Sequence, residues 1–126
     1  MKKLISIVPR WLPALLIMLV IFSFSSQADG TLPDFQSSDY FVKKSAHIVV
    51  YGALALSYFH ALPGRSFKLA WLLALIYAAT DEFHQSLVPG RTPSIIDVLV
   101  FDNLGAIIAL FLHHRFPGAN HEKQIQ

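Results

Sequence analysis

Four apolar runs take up most of this chain, each near the roughly 20 residues that a helix needs to cross a bilayer core. They lie at about 11–26, 45–62, 67–87 and 94–116, with Pro63-Gly64 and Pro89-Gly90 punctuating the later connections where helices stop. The pattern predicts an all-α polytopic membrane protein, a compact bundle of four transmembrane helices. One domain would occupy 1–116, and 117–126 would form a short polar cytoplasmic tail. Charged residues make up 14% of the chain against the roughly 25% of a soluble domain, which excludes a nucleic-acid-binding or disordered protein. The chain has no cysteine, so disulfide scaffolds, thiolate metal sites and cysteine nucleophiles are excluded too.

The first run has a second reading. Lys2 and Lys3 before it and Ser26-Gln27-Ala28 after it resemble a secretory signal with a small-x-small cleavage site. Pro9, Arg10 and Pro13 break up its start, and the remainder is a membrane protein under either reading. Direction follows from the basic residues. Lys2, Lys3, Arg10, Arg65, Lys68, Arg115 and Lys123 lie on one side, whereas Lys43, Lys44 and Arg91 lie on the other. Both termini are therefore expected in the cytoplasm, and the first and third connections outside.

Polar residues interrupt the runs at one depth. Lys44, His47 and Tyr51 are spaced i, i+3, i+7 and form a stripe on the second span. On the third span Asp81, His84 and Gln85 share a face, with Glu82 about 100° around the helix. At the helical rise, Tyr51 and Asp81 lie about 9 Å below their outer helix ends, His47 and Gln85 about 3 Å, and Asp97 about 4.5 Å. An ionised carboxylate costs up to ~2.5–3.5 kcal/mol at the bilayer centre, so Asp81, Glu82, Asp97 and Asp102 cannot all face lipid. They must turn inward, pair with Lys44, His47, His84 or Arg91, or line a wet cleft. Pairs such as Asp81–Arg91 or Asp97–Lys44 could also fasten helices and do nothing more.

In order along the chain, FSFSSQ (22–27), KSAHIVVYGALAL (44–56), DEFHQSLVPGRTPSIIDV (81–98) and DNLGAIIAL (102–110) resemble the VanZ-like family of small bacterial membrane proteins. The ordered set covers nearly the whole chain, and the Asp-Glu-x-His-Gln with Pro-Gly-Arg combination is its most specific part. The resemblance argues against signal cleavage and adds Ser26 and Gln27 to the candidate site. One residue more than the family pattern carries separates Asp97 from Gly105. A π-bulge would absorb it, and Asp97, Asp102 and Asn103 stay open as the site member on the fourth span. The family takes its name from a protein linked to low-level resistance to teicoplanin, a glycopeptide acting on outward-facing wall precursors. The resemblance thus implies envelope-related action in the bacterial inner membrane, with a wall precursor or glycopeptide antibiotic as partner besides the bilayer.

The constellation supports three classes of function. A binder of an envelope or lipid-linked amphiphile would use Lys44, Tyr51, Gln85, Arg91 and Asp97 as a clamp, with Arg91 suited to a bidentate phosphate or carboxylate. A hydrolase or transferase would add His47 or His84 as general base, Asp81 as its orienting partner and Glu82 as an acid. A divalent metal on His47, Asp81 and His84 is a variant of that chemistry. No serine carries a recognisable activating motif, so a covalent nucleophile is not identifiable. A small transporter, the third class, would need polar groups through the inner halves of the spans, where Leu12–Met18 and Leu69–Ile76 are apolar. Reporter fusions test the direction: a fusion at Gln126 should be active only as a cytoplasmic reporter, and one within 29–39 only as a periplasmic reporter. The reverse pattern would turn the polar cluster inward.

Overall fold

A computed structural model describes residues 2–26, 39–89 and 95–116. The described residues are all-α: α1 Lys2–Ser25, α2 Asp39–Ala61, α3 Phe67–Ser86, a π-helical segment Asp97–Asp102, and α4 Asn103–Arg115, which continues from it. Four helices are where four spans were expected, but among the described residues one stretch alone, Ile7–Ser25 of α1, is long and apolar enough to cross a membrane. The others carry the polar residues that define the candidate site. Lys68, Asp81 and Glu82 fall in α3, and α4 has 13 residues. α1 starts well before the expected span and runs through Pro9 and Pro13, and α2 starts at Asp39 rather than near Ser45.

α2 packs against α1, α3, the π segment and α4, while α1 reaches α2 and α3 only. Its buried residues Tyr51, Leu54, Ala55, Tyr58, Phe59 and Leu62 recur at i, i+3, i+4, i+7, i+8 and i+11, one stripe of a 3.6-residue helix. On α3, Ala70, Ala74 and Ala78 lie one turn apart and are buried, and the same face continues into Asp81, Glu82 and Gln85. Alanine there lets neighbouring backbones approach closely, so that short polar side chains further along can touch. The turn into α3 closes after Pro63-Gly64 as anticipated. Arg65 takes a left-handed backbone (φ 47°), and Ser66 caps α3 by accepting the Leu69 amide at 3.2 Å.

Polar bonds also tie the helices away from the main cluster. The Tyr77 hydroxyl donates to the Met18 carbonyl at 2.6 Å, joining α3 to α1. Trp71 Nε1 donates to Asn103 Oδ1 at 2.7 Å, joining α3 to α4. Outward, the bundle presents a broad apolar surface that includes Leu19, Phe24, Val49, Phe83 and Ile95, each at least 60% exposed. A water-soluble monomer does not carry such a surface without a partner.

Closest approach occurs where α2 meets α4. A Cβ on Gly105 would fall within 2.9 Å of the Ile48 Cα and clash with the Ile48 carbonyl, and one on Gly52 would meet the Gly105 carbonyl oxygen at 3.0 Å. Overpacking of this kind costs about 1–3 kcal/mol. Gly105→Ala should therefore lower the unfolding temperature of the detergent-purified protein by several degrees. Gly64→Ala, where a Cβ meets nothing within 4 Å, should leave it unchanged.

Candidate functional site

The polar residues of α2 and α3 converge on one carboxylate. Asp81 is 6% exposed, and its Oδ2 accepts from the Tyr51 hydroxyl at 3.2 Å and from Gln85 Nε2 at 3.1 Å. Gln85 stands one helical turn beyond Asp81, on the same face. Its amide also donates to Ser25 Oγ at 3.3 Å, bringing in the end of α1. Both amide hydrogens are then in use. The other carboxylate oxygen, Asp81 Oδ1, is buried with no hydrogen-bond partner among the described residues.

A second acid meets the same stripe of α2 one turn earlier, at His47. Asp102 is 2% exposed, and its Oδ1 meets His47 Nδ1 at 2.8 Å. The π-helical segment sets this register: an extra residue in the last turn before α4 rotates Asp102 toward α2. The open choice on the fourth span is thereby narrowed. Asp102 joins His47, Asn103 turns to Trp71, and the side chain of Asp97 lies outside the described residues. His47 also stacks over Tyr51, with centroids 6.1 Å apart and planes 11° apart, so the two acids share one aromatic wall. Lys44 Nζ lies 5.1 Å from the Phe101 ring centroid, a cation–π contact with the same π segment.

His84 is placed differently from His47. Its Nε2 meets Ser26 Oγ at 2.9 Å and its ring stacks on Phe22 at 4.5 Å. The Ser26 hydroxyl donates to the Phe22 carbonyl at 2.8 Å, so His84 Nε2 must supply the proton of the shared bond. In this arrangement His84 clasps α1 to α3 and is not set up as a base through Nε2. Glu82 is buried beside Asp81 on α3. Gln27 and Arg91 lie outside the described residues.

His47, Asp81 and His84 were the donor set expected to hold a metal if one is used. They do not fit it. Each is drawn to a different partner, and among the described residues no three His, Asp or Glu side chains gather as a metal site.

Between α1 and α2, with α3 as its floor, lies a cavity of about 270 Å³. Val20, Ile21 and Phe24 of α1 and Val50 of α2 make its apolar walls. Asp81, Gln85, Tyr51, His47 and Ser25 give it a polar end. Ser25 and the apolar wall were not anticipated as site residues. Ser25 was readable from α1 alone, since Ala14, Ile21 and Ser25 are spaced i, i+7, i+11 and share the buried face.

The arrangement can bind an amphiphile along its apolar wall, and it holds a His–Asp pair of the kind that orients a general base. If His47 and Asp102 act as one unit, a double-mutant cycle will show it. His47→Ala and Asp102→Ala should each destabilise the purified protein, with a coupling energy of about 0.5–3 kcal/mol. Additive effects would mean that the 2.8 Å contact carries no net stability.

The family model described as VanZ/LLP1 matches residues 6–116 of the chain. No curated protein and no solved structure matches it.

Proposed function

Because the chain belongs to the VanZ/LLP1 family, we propose that it is a multi-pass protein of the bacterial inner membrane that holds an envelope amphiphile in an outward-facing cleft. In this reading all four helices span the bilayer, both termini are cytoplasmic, and the exposed apolar side chains of α1, α2 and α3 face lipid. Bound amphiphile would lower susceptibility to teicoplanin-type glycopeptides by changing access to lipid-linked wall precursors. The cavity is the observation that carries this reading. Its walls are apolar and its far end gathers Asp81, Gln85, Tyr51, His47 and Ser25, which suits a molecule with a chain and a polar head.

A second reading rests on the His47–Asp102 contact. A histidine held by a buried carboxylate, with its ring on the cavity wall, is the minimal equipment for base-assisted hydrolysis or transfer. The binder is preferred, because Val20, Ile21, Phe24 and Val50 give the cavity an apolar wall that a chain-bearing ligand uses and base catalysis does not need.

Mixing the purified protein with lipids extracted from a bacterial envelope, wall precursors among them, separates the two. Saturable retention of an unchanged amphiphile is the expected result, weakened by both Asp81→Asn and Asp81→Ala while the amount of folded protein is kept. Appearance of a product, lost in His47→Gln, would establish the enzyme instead. Loss of folded protein in step with loss of retention would reduce the cluster to a fastening between helices.

A further inference from the structure

The cavity contains an unmet electrostatic demand. Asp81 is 6% exposed, both of its donors are spent on Oδ2, and the buried Oδ1 has no partner among the described residues. A carboxylate oxygen left in this state costs more than the ~1–3 kcal/mol of a neutral unsatisfied group. Asp81 also lines the cavity, so a bound molecule is placed to supply what the helices do not.

The charges around it narrow the choice of molecule. Among the described residues that line the cavity, Asp81 is the sole carboxylate and there is no Lys or Arg. The one other titratable base on the wall, His47, is engaged with Asp102. Lys44, which the sequence offered as half of an anion clamp, rests over Phe101 and does not line the cavity. A phosphate or carboxylate head would therefore meet a like charge in a medium of low polarity. A neutral hydroxyl would satisfy Oδ1 but leave the charge of Asp81 unbalanced. An ammonium does both, with three N–H donors and a positive charge.

The rest of the ligand is set by the opening. Val20 and Phe24 line the cavity and are also 51% and 61% exposed on the outer apolar surface of α1. A chain leaving between them passes directly into surroundings that suit an alkyl group.

We propose that the cavity between α1 and α2 takes a cationic amphiphile, an alkyl chain ending in a primary ammonium that pairs with Asp81 Oδ1 while the chain runs out past Val20 and Phe24. This rests on the amphiphile reading above and assigns its head group.

Isothermal titration of the full-length protein in a non-ionic detergent, with dodecylamine, dodecanol and dodecyl phosphate as probes, tests it. The amine should bind saturably and at least about tenfold more tightly than the alcohol, the worth of a hydrogen bond to a charged group, and the phosphate should not bind. Asp81→Asn should remove the preference for amine over alcohol. Ala46→Trp, at an exposed position on the cavity wall, should abolish binding of the amine with the unfolding temperature kept. Phosphate binding as tight as the amine, or an amine preference that survives Asp81→Asn, would overturn the head-group assignment and leave the amphiphile reading standing. Amine binding undiminished in Ala46→Trp would overturn the location. Failure of all three probes to bind saturably would overturn both.

Discussion

Carboxylates cannot be packed among apolar side chains without donors, and this bundle packs three among its described residues, Asp81, Glu82 and Asp102, at 6%, 8% and 2% exposure. Asp81 and Asp102 each take a donor from α2, so one stripe of the central helix is tied both to α3 and to the π segment before α4. Tyr51 reaches Asp81, His47 reaches Asp102, and the two donors stack on one another along a single helical stripe. Moving α2 by one turn would unpair both acids together.

Short polar side chains can meet only if the backbones behind them come close. The alanines at 70, 74 and 78 on α3 and the glycines at 52 and 105 provide that closeness on two sides of α2. The outer surface is apolar almost throughout, so ordinary burial from water cannot hold the bundle together if lipid surrounds it. Close van der Waals packing and interhelical hydrogen bonds then take over, including Tyr77 to Met18 and Trp71 to Asn103. Structure and site consequently draw on the same bonds, and a substitution at Asp81 or His47 has to be read for both.

Periodicity made much of this legible. The i, i+3, i+7 spacing of Lys44, His47 and Tyr51 and the i, i+4 spacing of Asp81 and Gln85 mark the two faces that meet, and their common depth follows from helical rise alone. The π-helix before α4 was legible as one surplus residue between Asp97 and Gly105. Which acid would reach the site was not. One inserted residue turns every later side chain by about 100°, so Asp102 and Asn103 exchange faces according to where the bulge falls. The conditional metal set is a related case: His47, Asp81 and His84 all fall in the outer third of their spans, but that says nothing of azimuth, and His84 points to Ser26 just past the end of α1. The cavity was beyond sequence reasoning, since a void is a property of how α1 leans on α2 and not of any one residue.

The two acids differ in how completely they are answered, and function is more readily located at the less complete one. Asp102 is matched with a histidine in a short contact, an arrangement that is sufficient in itself. Asp81 has two donors on one oxygen and, among the described residues, none on the other. Such an imbalance destabilises the empty protein relative to the filled one, and that difference is what a ligand can recover as affinity. The demand is also directional, because it opens into the cavity whose walls lead outward between Val20 and Phe24. A carboxylate retained merely to fasten α2 to α3 would have no reason to keep one oxygen unpaired beside a void; one retained to receive a cationic head would.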